Sequence, residues 1–81
     1  MGQPIMKLDL HGMYQDEAIA AIERALKIAD SSTYQIQLIH GYNRGTNLKD
    51  MIMAEYRHDR RIKRVKPGDN LGVTVLVLRE L

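Results

Sequence analysis

Leu8-Asp9-Leu10-His11-Gly12 and Ile36-Gln37-Leu38-Ile39-His40-Gly41 are two short apolar runs that each end in His-Gly, with an amphipathic stretch from Gln15 to about Ala29 between them. In that stretch Ala18, Ile19, Ile22, Ala25, Leu26 and Ala29 recur at helical spacing, and Asp16 and Glu17 stand in the first turn, where the helix dipole favours acids. A helix between two strands is a crossover. The strands then run parallel, and their carboxyl ends share the sheet edge where open α/β folds bind ligands. In the first strand Met6, Leu8 and Leu10 alternate with Lys7, Asp9 and His11, so Asp9 and His11 share a face. In the second, His40 falls with Tyr34, Ile36 and Leu38. With both pleats kept to the end and the apolar side covered in each, the two rings face opposite sides of the sheet; twist or a backbone break at Gly41 would reunite them.

Working outward, Asp30-Ser31-Ser32 is a turn cluster that stops the first helix. The loop Tyr42-Asn43-Arg44-Gly45-Thr46 leads into a second helix, capped by Thr46 or Asn47, with Leu48, Met51, Ile52 and Tyr56 as its inner stripe to about Asp59. Ile62 to Lys66 is short, basic and followed by Pro67, which predicts an edge strand. After the turn Pro67-Gly68-Asp69-Asn70, the run Val73 to Leu78 is apolar on both faces and predicts a central strand. The order is βαβαββ: an α+β, two-layer sandwich of a mixed four-stranded sheet and two helices on one face.

Eighty-one residues predict a single domain over 1–81, with its core from about residue 5. With no Phe or Trp, aliphatic side chains and five Met fill that core. The absence of Cys rules out disulfides, thiolate nucleophiles and Cys-ligated zinc, and fits a reducing compartment, so the cytoplasm is expected. No apolar run is long enough to span a membrane, and a monomer is expected. Formal net charge is only +2, yet Arg57 to Lys66 holds six Lys or Arg against one Asp. Such a cluster is either a phosphate-binding footprint or a solvated charged surface.

Taken together, Leu8-Asp9-Leu10-His11, the helix beginning near Asp16-Glu17-Ala18, Ile39-His40-Gly41 followed by Gly45, and the closing Gly72-Val73-Thr74-Val75 strand resemble the small MutS-related (Smr) domain from about residue 7 to the end. The family's L-D-x-H motif stands intact. Of its H-G-x-G-x-G loop, Gly41 and Gly45 match the first and last glycines, while Asn43 occupies the middle position and Arg44 the variable one after it. The resemblance implies a fold like the carboxyl-terminal domain of translation initiation factor three. It also implies an endonuclease that cleaves RNA or nicks structured or branched DNA, or alternatively a non-catalytic module that binds RNA, DNA or the ribosome. Domains of this type are often attached to others, so the chain is expected to be either a whole protein or an excised piece.

The residues support the enzymatic reading on their own chemistry. Histidine serves as base or acid near neutral pH, and a nearby carboxylate orients it and stabilises its cation. RNA cleavage needs a base for the 2′-hydroxyl, an acid for the departing 5′-oxygen and positive charge at the phosphorane; His11, His40 and Arg44 can supply these, with Asp9 supporting His11. DNA hydrolysis would need an activated water and often a divalent metal, for which Asp9, His11 and His40 at irregular spacing are a weak ligand set, so RNA is favoured and no cofactor is assigned. Asp9 can alternatively hold the adjacent turn through backbone N–H groups. Gly12, Gly41, Asn43, Arg44, Gly45 and Thr46 offer a phosphate cradle at a helix start, and Tyr42 an aromatic face for an unpaired base. Arg60, Arg61, Lys63 and Arg64 are expected to extend the grip on nucleic acid.

Overall fold

The computed structural model describes residues 4–41 and 47–80. Six elements follow in order: β1 (Ile5–Asp9), α1 (Gln15–Ile28), β2 (Gln35–Ile39), α2 (Asn47–Tyr56), β3 (Arg64–Pro67) and β4 (Val73–Val77). They form the α+β arrangement read from the sequence, with a four-stranded mixed sheet in the order β1-β2-β4-β3. β1 and β2 are parallel, whereas β4 runs antiparallel to both its neighbours. The apolar run Val73–Val77 is central, and the basic, Pro-terminated β3 lies at an edge, where a missing N–H costs no ladder bond.

Both helices pack on one face. Ala18, Ile22 and Ala25 of α1 and Met51, Ile52 and Tyr56 of α2 join Leu10, Ile36, Leu38 and Leu76 in one buried cluster, with Met6, Leu8 and Val65 against it. Register accounts for the membership: Met6 opposes Ile36, Ile36 opposes Leu76, and Leu76 opposes Val65, so all four point the same way. The other face carries Ile5, Lys7 and Asp9 of β1, Gln35, Gln37 and Ile39 of β2, Val73, Val75 and Val77 of β4, and Arg64 and Lys66 of β3. Among the described residues no helix covers it.

Several element ends differ from the sequence expectation, those of β1 and α2 because a polar side chain takes over a backbone group. β1 ends at Asp9 rather than His11 because the Asp9 carboxylate accepts the His11 backbone N–H (3.1 Å), and the Met13 N–H turns back to the Leu10 carbonyl (3.0 Å). α2 ends at Tyr56 rather than Asp59; Asp59 Oδ1 accepts the Arg61 N–H (2.8 Å), opening a turn where another helical turn would have formed. β3 begins at Arg64 because Ile62, instead of opening the strand, is buried in the core. The stop of α1 follows expectation, with Asp30 Oδ1 accepting from both the N–H and the hydroxyl of Ser32 (2.8 and 2.6 Å).

Candidate functional site

The parallel pairing of β1 and β2 brings the two His-Gly ends to one sheet edge, as the crossover argument requires. Leu10 continues the ladder one step by donating to the Ile39 carbonyl (2.7 Å). Just past each strand a glycine takes the left-handed region, Gly12 at φ +78° and Gly41 at φ +76°. A side chain is strained there, which is the physical content of both His-Gly pairs. The second glycine lies beside His11: a Cβ on Gly41 would meet the Cβ of His11 at 3.8 Å, an ordinary contact, so backbone conformation rather than space selects glycine there. The edge therefore stacks His11 over Gly41, one residue beyond His40. Both helices begin at this end, and the Gln15 amide donates to the Asn47 carbonyl (3.5 Å) across their starts.

Asp9 and His11 form an exposed pair. His11 Nδ1 lies 2.6 Å from Asp9 Oδ1, with side-chain exposures of 72% and 57%. A carboxylate only accepts, so Nδ1 carries the proton and Nε2 is the ring's remaining acceptor. No described residue partners that Nε2. The same Oδ1 accepts the His11 backbone N–H, so Asp9 holds both the turn and the ring. These two hydrogen bonds, the side-chain one foremost, keep the Asp9 carboxyl below the usual aspartate range.

His40 stands apart from this pair. It is 8% exposed, on the helix-covered side with Ile36 and Leu38. Its Nδ1 donates to the Gly41 carbonyl (2.7 Å), which leaves Nε2 of the neutral ring to accept from the Thr74 hydroxyl (2.8 Å). Both nitrogens are engaged. Its backbone N–H and that of Gly41 both donate to the Gly72 carbonyl (2.9 and 3.0 Å), pinning the loop start to β4. Gly72 and Thr74 belong to the closing strand that carries the resemblance, but the sequence does not tie them to His40; the available signal is a lone Thr inside Val73-Thr74-Val75-Leu76-Val77.

The remaining expected contacts divide. Tyr42, Asn43, Arg44, Gly45 and Thr46 lie outside the described residues. Gly12 is exposed beside His11. Arg60, Arg61, Lys63 and Arg64 are not brought to this edge. Arg64 is in register with Val77, Gln35 and, through β2, Ile5, at the opposite end of the strands from Asp9. Three strand spacings and four residues of rise separate Arg64 from Asp9 by about 20 Å. Arg61 is committed internally, gripping Glu23 (3.0 Å) and Asp59 (2.7 Å). Arg64 pairs with Glu80 (3.1 Å), while Arg60 and Lys63 are exposed. Among the described residues no three His, Asp or Glu side chains converge as a metal-ligand group.

Residues 8–79 match the Smr domain family. The chain is 36% identical over 77 residues to the endonuclease MutS2 of Pelotomaculum thermopropionicum, an alignment taking in 89% of this chain and 10% of that protein. It thus spans a tenth of the length of that relative. Among solved structures, the Smr domain of Thermus thermophilus MutS2 superposes with a TM-score of 0.82 at 28% identity, covering 93% of this chain and 99% of that one.

Proposed function

Because the chain belongs to the Smr domain family across residues 8–79, we propose that it acts on nucleic acid as an endonuclease with Asp9 and His11 as its chemical centre. The observation that carries this reading is the 2.6 Å contact between Asp9 Oδ1 and His11 Nδ1 on an exposed strand end. It leaves Nε2 as an outward base whose conjugate acid Asp9 stabilises. On RNA, His11 Nε2 takes the 2′-hydroxyl proton, the 2′-oxygen forms a bond to phosphorus, and the bond from phosphorus to the 5′-oxygen breaks. The product ends are a 2′,3′-cyclic phosphate and a 5′-hydroxyl, the latter protonated from solvent at this open edge. Arg44, in the loop after Gly41, neutralises the phosphorane. His40 is a positioning residue, since both its ring nitrogens are engaged and it ties Gly41 to β4. That engagement also favours a second reading, a module that binds without cutting, because the edge offers one open imidazole rather than two.

Labelled single-stranded RNA and branched DNA, incubated with and without EDTA, decide between the readings. The nuclease reading expects RNA cleavage that persists in EDTA and falls in His11→Ala and Asp9→Ala. Binding without cleavage of either substrate selects the second reading. Cleavage unchanged in His11→Ala would falsify the proposed chemistry.

A further inference from the structure

The sheet face opposite the helices is open, yet it is not an ordinary solvated surface. Val75 and Val77 are buried there (3% and 2% exposed) without a covering helix, each flanked across the sheet by a Gln of β2 and a cation of β3: Gln37 and Lys66, Gln35 and Arg64. At the β3 side Tyr34, Gln35, Arg64, Lys66, Val77 and Arg79 line, with Glu80, a depression of about 290 Å³. Among the described residues Lys7, Lys66 and Arg79 have no carboxylate partner; the acids on this surface, Glu80 and Asp9, are held by Arg64 and His11. The surface therefore keeps unneutralised positive charge. It also runs directly to the proposed site, because Lys7 and Asp9 point to this face from the same strand.

We propose that this open face is a track for a single polynucleotide strand, which crosses the sheet over Arg79, Lys66 and Lys7 and ends at the Asp9–His11 pair. The inference rests on the nucleic-acid reading of that pair. From Lys66 to Asp9 the track crosses three strand spacings and one row, about 16 Å, a span of a few nucleotides of extended single strand. Gln35 and Gln37 stand between the cations, each offering donors and an acceptor to base edges. A purely phosphate-binding surface would not need those amides. With cations and amides as its described groups, the track binds mainly through phosphate charge and is weakly selective for sequence.

Fluorescence anisotropy with a labelled 12-nucleotide single-stranded RNA tests the track in the whole chain. Lys66→Glu with Arg79→Glu is compared with Arg24→Glu, an exposed position on α1 that makes the same kind of charge change on the far side of the sheet. The track predicts about tenfold weaker binding or more for the double variant, a salt slope lower by about 0.7 per lost phosphate contact, and little change for Arg24→Glu. If reversal disturbs the sheet, Lys66→Gln with Arg79→Gln removes the charges without reversing them and gives the same comparison. In parallel, the same RNA added to the wild type should move the amide resonances of Lys7, Gln35, Gln37 and Val77. The track is overturned if the double variant binds like the wild type, if Arg24→Glu weakens binding equally, or if those amides stay still. Any of these, with RNA still cut through His11, leaves the Asp9–His11 reading intact. A wild type that binds no RNA removes both.

Discussion

His11 owes its chemistry to one oxygen. Asp9 Oδ1 accepts the ring and the backbone N–H of the same residue, so the turn and the dyad, which the sequence left as alternatives, are one arrangement. His11→Ala is expected to lower RNA cleavage by about 10²- to 10⁴-fold, the usual contribution of a positioned acid–base group, with little change in thermal unfolding because the side chain is exposed. Hydrogen bonds from His11 hold the Asp9 carboxyl below the usual aspartate range, so it stays ionised across the neutral range. His40 behaves oppositely, as a buried ring whose test is stability. Thr74→Val leaves Nε2 unpaired and is expected to cost about 1 to 3 kcal/mol in denaturant unfolding, whereas Thr74→Ser retains the bond. Alternation alone put His40 on the apolar side, where it is buried, but left open whether the two rings meet. The partner on β4 was not, because cross-strand contacts 34 residues apart leave no local trace.

Elements end where polar groups redirect the chain. Asp59 and Arg61 close α2, and Arg61 reaches back to Glu23 of α1, whose carboxylate also accepts from the buried Tyr56 hydroxyl (2.8 Å). The sequence placed Arg61 with the nucleic-acid contacts because its partner Glu23 lies 38 residues away in the chain, beyond any periodicity. Hydrogen bonds from Arg61 hold both Glu23 and Asp59 below their ordinary values, joined at Glu23 by one from Tyr56. Since both folded-state values are depressed, the stability they confer is present above the unfolded values near 4 and is lost as pH falls through the folded ones. The unfolding midpoint should therefore drop from about pH 5 toward pH 3, and Arg61→Ala should flatten that drop while costing about 1 kcal/mol at neutral pH. Gly41→Ala puts a side chain at φ +76° and should cost about 1 to 2 kcal/mol in thermal unfolding.

At the scale of the whole molecule, the sheet order decides which charges act together. Chain proximity groups Arg57 to Lys66 into one patch, but β3 starts at the far corner from Asp9, so Arg64 is about 20 Å from the dyad while Lys66, two residues on, faces Lys7 across the sheet. Element order, the parallel crossover and the central β4 were legible because apolar periodicity reports burial directly. Strand order beyond the crossover, and hence the placing of cations, depends on pairings between distant segments. Arg60→Ala with Lys63→Ala is accordingly expected to leave the cleavage rate of bound RNA unchanged in single-turnover assays and to show only in salt-dependent binding. The most direct test is the cleavage of labelled single-stranded RNA in EDTA by the wild type and by His11→Ala, with binding followed in the same samples. Wild-type cleavage that falls at least about 10²-fold in the variant while binding is retained is the predicted result. Equal cleavage by both proteins would contradict it.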